Sequence, residues 1–131
     1  MDIKNKLEFK SEFVDLDEVT YTPDYSVIGI YFGEGDPQKE GQHWNFSLSL
    51  GEDEDQGVCT IRDVNRVILY KGIAQFNLSR NWLVCEFSNE GIQETNVKTL
   101  VINFDIDDSK WKSLVDMAKR VFVHESCFQL N

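Results

Sequence analysis

Residues 43–50 read HWNFSLSL, in which a tryptophan, a phenylalanine and two leucines alternate with polar side chains. A period of two residues is typical of a β-strand with one buried face and one hydrated face. The segment therefore predicts a strand of an antiparallel sheet. Its four apolar side chains are expected in the core, and His43 is expected on the solvent side.

Further strands are predicted before and after this segment. Gly72 is expected to mark a bulge within the longest of them, and residues 79–81 to form a hairpin turn. The polar segments 15–25 and 88–97 are predicted to be loops, because turn-forming and charged residues interrupt the apolar pattern there. The predicted strands cover residues 7–14, 26–32, 43–50, 58–62, 66–78, 82–87 and 98–106.

The pattern changes after the last of these strands. From Trp111 to Phe122 the apolar residues recur at intervals of three and four, which is the spacing of an amphipathic helix. Asp107 or Asp108 is placed to cap the first turn, and basic residues near the end of the segment suit the helix dipole. One helix is therefore predicted here.

These elements define a fold class that is mostly β (α+β). We expect a single antiparallel sheet or a partly open barrel of six to seven strands, with one C-terminal amphipathic helix. Residues 1–131 are expected to form a single domain, since this length suits one hydrophobic core. The tail, residues 123–131, is expected to add at most a short edge segment.

The charge of the chain is strongly acidic, with 13 Lys and Arg against 23 Asp and Glu and a formal net charge of −10. Residues 1–70 hold 15 of these acids. Nucleic acids and anionic membranes are excluded as partners, because both are bound through Lys and Arg. No segment approaches the roughly 20 apolar residues that span a bilayer. The charge favours a basic protein surface as the partner.

Residues suited to catalysis or metal binding are few. The only histidines are His43 and His124, and neither lies in a recognised catalytic or zinc-binding spacing. The acids at 105, 107 and 108 lack the glycine and the distal glutamate of a calcium loop. We therefore expect no enzyme activity, no catalytic residue, no metal ligand and no cofactor.

The cysteines and the start of the sequence indicate the compartment. Cys59, Cys85 and Cys127 are odd in number and far apart, which suits buried thiols in a reducing environment. Residues 1–6 are charged and lack the apolar run of a secretory signal. A cytoplasmic protein is expected.

Four consecutive acids at residues 52–55 are the most informative local feature. In a meander of strands, alternate connections lie at the same end of the sheet, which would bring segment 51–57 close to segment 15–25. Acids there would steer a basic partner, and neighbouring aromatic residues would anchor it. The expected partner-binding residues are Asp15, Asp17, Glu18, Tyr21, Asp24, Tyr25, Glu52, Asp53, Glu54, Asp55 and Trp82.

The second half of the sequence contains two characteristic segments. Residues 72–87 read GIAQFNLSRNWLVCEF, and residues 100–108 read LVINFDIDD before the predicted helix that ends at Phe122. Over residues 66–122 the chain resembles the Immunity protein 10 family of bacterial polymorphic toxin and contact-dependent growth inhibition systems. In that family a Leu-Ser turn leads into a hydrophobic strand, and an acidic strand end leads into a closing helix.

The resemblance implies a small cytoplasmic protein that binds a cognate toxin domain, one to one, and neutralises it. Neutralisation would occlude the active site or the substrate-binding cleft. The acidic charge agrees independently with a nuclease toxin, since nucleases present basic surfaces to nucleic acid. Two alternatives remain: an acidic secretion chaperone for an effector protein, and a small β-barrel that binds an apolar ligand.

Overall fold

The computed structural model describes residues 2–36, 41–51, 56–63 and 67–131. Within these ranges the chain forms two five-stranded sheets and two helices. Sheet A has the strand order β1-β9-β8-β7-β10, and sheet B has the order β2-β3-β4-β5-β6. The elements are β1 (Lys4–Lys10), β2 (Phe13–Thr22), β3 (Tyr25–Gly33), β4 (His43–Leu50), β5 (Cys59–Arg62), β6 (Val67–Tyr70), β7 (Ile73–Leu78), β8 (Trp82–Phe87), α1 (Asn89–Thr95), β9 (Val97–Asn103), α2 (Asp108–Val121) and β10 (Phe128–Leu130).

Sheet B is an antiparallel meander with β4 at its centre. The alternation predicted for β4 is confirmed, because Trp44, Phe46 and Leu48 are almost fully buried. A β-carbon on Gly51 would lie 2.4 Å from the carbonyl oxygen of Asp24. The β2–β3 turn and the start of the β4–β5 connection therefore meet at the same end of the sheet, as predicted.

Sheet A combines both strand directions. Its three central strands are antiparallel, and the hairpin predicted between β7 and β8 is confirmed. The two edge strands are parallel to their neighbours: β1 pairs with β9, and β10 pairs with β7. The short edge segment expected in the tail is β10.

The two sheets pack face to face around one hydrophobic core. Aromatic side chains from the two layers meet in edge-to-face, stacked and tilted contacts, which add to the free energy gained from burial. The ring pairs that join the layers are Phe46–Phe76 at 5.1 Å, Trp44–Phe87 at 5.8 Å and Phe32–Phe104 at 5.8 Å.

Helix α2 forms as predicted and closes the core. The Asp107 carboxylate accepts a hydrogen bond from the Lys110 amide at 2.7 Å, which caps the first turn. The helix packs mainly against β3, and its apolar stripe of Leu114, Ala118 and Val121 is fully buried. Its apolar side is therefore occupied by the protein's own core.

The prediction of a single sheet or partly open barrel of six to seven strands is wrong. There are two sheets of five strands, and the described residues form no closed barrel. Two predicted strands, 7–14 and 66–78, each divide between the sheets. Lys71 adopts a left-handed φ of 57° at one crossing, and Gly72 follows it where a β-carbon would overlap Leu69.

Two predicted loops are also corrected. Most of segment 15–25 belongs to the edge strand β2, where carboxylates are tolerated because one strand edge and one face remain in water. Segment 88–97 contains the short helix α1, which Ser88 caps at its start. Asn96 ends this helix in the left-handed conformation, a role that asparagine fills readily.

The prediction that His43 is solvated is wrong, since only 1% of the residue is exposed. Its ring lies 6.2 Å from that of Phe13 and 6.0 Å from that of Tyr31, and both rings cover it on the outer side of sheet B. The histidine points outward as its strand position requires, but it is buried by neighbours on the same face.

Replacing Phe76 with alanine is expected to lower the free energy of unfolding by about 3–5 kcal/mol. Phe76 is fully buried and contacts the rings of Phe46, Phe122 and Phe128, so the cavity would lie between both sheets and α2. Urea denaturation followed by circular dichroism measures the loss. The matched control is Ile68→Ala, because Ile68 is 61% exposed; a loss there as large as at Phe76 would contradict this account of the core.

Candidate functional site

The outer side of sheet B is the face turned away from sheet A and α2. We call it the acidic face, and define it by the outward side chains of β2 to β6 together with Asp63. Two rows of paired residues cross it, which the strand registers define. The first row is Asp15, Tyr31, Asn45, Ile61 and Ile68; the second is Asp17, Gly29, Ser47, Cys59 and Tyr70.

A groove runs across the acidic face where Gly29 lies in the second row. Gly29 has no side chain to fill the space between Asp17 and Ser47, so a trough remains beside the ring of Tyr31. The groove has a volume of about 320 Å³ and is open to solvent. It is lined by Asp17, Val19, Tyr21, Val27, Gly29, Tyr31, Asn45, Ser47, Ile61 and Asp63.

Large apolar side chains are concentrated on this face. Among the described residues, eight large hydrophobic side chains are exposed, and four of them project from the acidic face. These four are Val19, Tyr21, Ile68 and Tyr70, with exposed fractions of 45% to 64%. Val19 and Tyr21 lie on the edge strand β2, and Ile68 and Tyr70 lie on the opposite edge strand β6, so apolar contact area is available to a partner at both edges of the face.

Negative charge accompanies these apolar groups. Asp15, Asp17 and Asp63 are exposed on the acidic face, and in the described part of the chain no Lys or Arg pairs with them. Within the five strands of sheet B the only Lys or Arg is Arg62. It faces the other way, donating a hydrogen bond to the Thr95 carbonyl at 2.7 Å.

Tyr31 lines the groove and is hydrogen-bonded to a carboxylate there. Its hydroxyl donates a hydrogen bond of 2.9 Å to a carboxylate oxygen of Asp63. The pKa of the Tyr31 phenol is raised well above its ordinary value, first by burial and then by the hydrogen bond and charge of Asp63, with a contribution from Asp15. A negative charge on Tyr31 is thus disfavoured, mainly by burial and in addition by the neighbouring carboxylates.

The structure brings together only some of the predicted site residues. Asp15, Asp17, Tyr21 and Tyr25 share the acidic face, and the rings of Tyr21 and Tyr25 stack at 5.5 Å. Asp24 lies in the β2–β3 turn, beside Gly51. The four acids at residues 52–55 lie outside the described residues.

Two predicted site residues lie elsewhere. Glu18 is on the opposite side of β2, where it accepts a hydrogen bond from Arg120 of α2 at 2.8 Å. That interaction lowers the pKa of its carboxyl group. Trp82 projects from the outer face of sheet A, since its neighbour Leu83 is fully buried in the core. Neither residue can contribute to the acidic face.

Sequence reasoning missed Gly29, Tyr31, Asn45 and Asp63. The first two were detectable, because Gly29 and Tyr31 alternate with Ile28, Ile30 and Phe32 and so share the outward side of β3. Their position next to Asp17 and Asp63 was not detectable, because it depends on which strands pair and in which register.

In the described ranges no cluster of three or more His, Cys, Asp or Glu side chains is placed to hold a metal ion. Cys59 and Cys85 are buried as predicted and Cys127 is half-buried; burial raises the pKa of all three thiols. Thiols with raised pKa values are poor nucleophiles.

Across the part of the chain that is described, no helix is both long enough and apolar enough to cross a bilayer.

Replacing Asp63 with alanine is expected to lower the pKa of Tyr31 towards the ordinary tyrosine value, while leaving the part of the shift that burial causes. Because the folded state favours the neutral phenol, Tyr31 stabilises the fold at neutral pH. This contribution is lost as the pH rises from about 10, the value for an unfolded chain, through the higher folded-state pKa. The ultraviolet absorbance of tyrosinate, measured against pH, follows the ionisation.

The control for this titration is Tyr31→Phe, which should remove the ionisation assigned to Tyr31 from the curve. Circular dichroism at each pH separates ionisation in the folded protein from alkaline unfolding. Identical titration curves for the wild type and Asp63→Ala would contradict the coupling between Tyr31 and Asp63.

Comparisons with known proteins identify no relative. The sequence matches no protein-family model, no curated protein and no solved structure. The resemblance of residues 66–122 to the Immunity protein 10 family therefore stays a prediction that rests on the residues quoted above. Functional interpretation depends on the geometry and charge of the acidic face.

Proposed function

We propose that this protein is an immunity protein that binds the toxic domain of a bacterial polymorphic toxin, one to one, and neutralises it. The toxin class that suits the charge best is a nuclease with a basic active-site cleft. The observation that carries the proposal is the composition of the acidic face: exposed apolar side chains and carboxylates on one open sheet surface, with no Lys or Arg among its described residues.

Each component of this face has a role in binding a basic partner. Carboxylates such as Asp15 and Asp17 accelerate association by steering a cationic surface, and they would occupy positions that nucleic acid phosphates otherwise fill. Aromatic and aliphatic groups such as Tyr21 and Ile68 supply the apolar contact area that slows dissociation. A toxin covered in this way loses access to its substrate.

The two alternatives receive less support. A secretion chaperone that dimerises through its helix would need a free apolar helix face, whereas the apolar stripe of α2 is buried against the core. A ligand-binding barrel would need a closed sheet, and the described strands form two separate layers. The groove on the acidic face is open, which suits a protein surface better than a small apolar ligand.

The direct experiment uses the purified protein as bait at low and moderate salt. The proposal requires a one-to-one complex with the C-terminal domain of a large secreted protein, and the purified protein must abolish the activity of that domain. Recovery of a full-length effector held unfolded would support the chaperone function instead. A folded protein that leaves the captured domain active would refute neutralisation.

Reversing Asp15 and Asp17 to lysine is expected to slow association with the toxin domain at least about tenfold at low salt, because electrostatic steering raises on-rates by 10- to 1000-fold. The difference should shrink as salt screens the charges. Surface plasmon resonance at several ionic strengths measures the rate constants.

The matched control is Glu86→Lys, which reverses an exposed charge on the outer face of sheet A. It should change association much less than the double variant does. Because the control reverses one charge and the double variant reverses two, a control effect half as large on the logarithm of the on-rate would mean that net charge, and not the acidic face, governs association. Thermal melting of each variant checks that the fold is intact.

A further inference from the structure

We infer that the groove of the acidic face receives an arginine side chain of the protein partner. The inference rests on the proposed function, since it identifies the residue that anchors the partner on the same surface. The feature that carries it is the combination of acidic walls, an acceptor-rich floor and a fixed aromatic ring within one groove.

The floor of the groove is closed at Gly29. A β-carbon at this position would lie 3.2 Å from the Ser47 β-carbon and 3.3 Å from the Phe46 carbonyl oxygen, so the backbone of β3 lies close against β4. The oxygen of the Asn45 side chain is 3.5 Å from the same point. Gly29 is buried beneath these neighbours, so an entering side chain meets the Ser47 side chain and the Asn45 oxygen at the floor of the groove.

The walls of the groove are rich in hydrogen-bond acceptors. Asp17 is exposed at the edge strand, without a described cationic partner. Asp63 accepts a hydrogen bond from Tyr31 on one carboxylate oxygen, which leaves further lone pairs for a second donor. A guanidinium group brings five N–H donors and no acceptor, and so complements a groove of this kind.

The ring of Tyr31 favours arginine over lysine. It lines the groove and is held by stacking on Phe13, with 5.4 Å between ring centroids and 9° between ring planes. A planar guanidinium stacks on an aromatic ring and is more weakly hydrated than an ammonium group. Val19 and Val27 supply apolar wall for the aliphatic stem of the arginine side chain.

The size of the groove suits a single side chain of a protein partner. Its volume of about 320 Å³ lies at the lower end of the range for ligand-sized sites. A helix or a strand of the partner would instead rest on the wider acidic face. The groove therefore anchors one residue, and the surrounding face contacts the rest of the partner.

The first test titrates the full-length ¹⁵N-labelled protein with N-acetyl-arginine amide at low salt, followed by nuclear magnetic resonance. The expected shift changes centre on Gly29, Tyr31, Ser47 and Asp63. N-acetyl-lysine amide should bind at least about threefold more weakly, because it lacks the planar, weakly hydrated group. Equal binding of the two compounds, or shift changes centred outside the groove, would overturn the inference.

Variants locate the site. The Asp17→Asn and Asp63→Asn double variant should weaken binding of the arginine compound at least about fivefold, because charge-assisted hydrogen bonds are lost. The matched control Glu86→Gln, on the outer face of sheet A, should leave binding unchanged. If the control weakens binding as much as the double variant does, the arginine is attracted by net charge alone and the inference fails.

A variant that fills the groove without changing its charge separates this inference from the proposed function. Ser47→Phe should abolish binding of the arginine compound and speed dissociation of the captured toxin domain at least about tenfold, with little effect on association. A folded Ser47→Phe protein with unchanged toxin dissociation would overturn the arginine anchor and leave neutralisation standing. A wild-type protein that binds the arginine compound but captures no toxin domain would refute the proposed function instead.

Discussion

The structure depends on the contact between the inner faces of its two sheets. The ring pairs Phe46–Phe76 and Trp44–Phe87 join a strand of sheet B to neighbouring strands of sheet A, and α2 occupies much of the remaining inner surface. Because both inner faces are consumed in this way, each sheet has only its outer face free for other interactions. The inner side of sheet B therefore belongs to the hydrophobic core, and its outer side is the one open to other molecules.

The two outer faces differ in charge. Strand β1 of sheet A contributes Lys4, Lys6 and Lys10, and Lys6 pairs with Glu8 at 3.0 Å. Sheet B carries carboxylates, and the only Lys or Arg in its strands, Arg62, is turned inward. A net charge of −10 alone would suggest only a soluble, repulsive surface. Because the negative charge is distributed unequally over the surface, the electric field of a basic partner would orient the molecule as the two approach.

The sequence predicted the elements with strong periodicity. Strand β4 and helix α2 were found because their apolar residues repeat at two and at three to four positions, which are local properties. Strand β2 was missed because Asp15, Asp17 and Glu18 have low strand propensity, and only its place at a sheet edge makes them tolerable.

The assignment of strands to two sheets had no local signal. This assignment is decided near Ser11 and Gly72, where the chain passes from one sheet to the other and tertiary packing determines its path. Ser11 is held there by the Gly33 amide, which donates a hydrogen bond to its hydroxyl at 2.9 Å. The candidate site was likewise predictable only in part. The acidic residues of β2 are visible in the sequence, whereas the groove at Gly29 exists only after β2, β3 and β4 have paired in register.

The parallel pairing of β1 with β9 has a consequence for the order of assembly. Sheet B is built from consecutive strands between Phe13 and Tyr70, so its contacts are short in sequence and can form while the chain is still being synthesised. Strand β1 is made first, yet it must wait for residues 97–103 before it has a neighbour. The acidic face, which we propose as the partner-binding surface, therefore belongs to the half of the chain whose contacts can form first, and β9 is added to sheet A later.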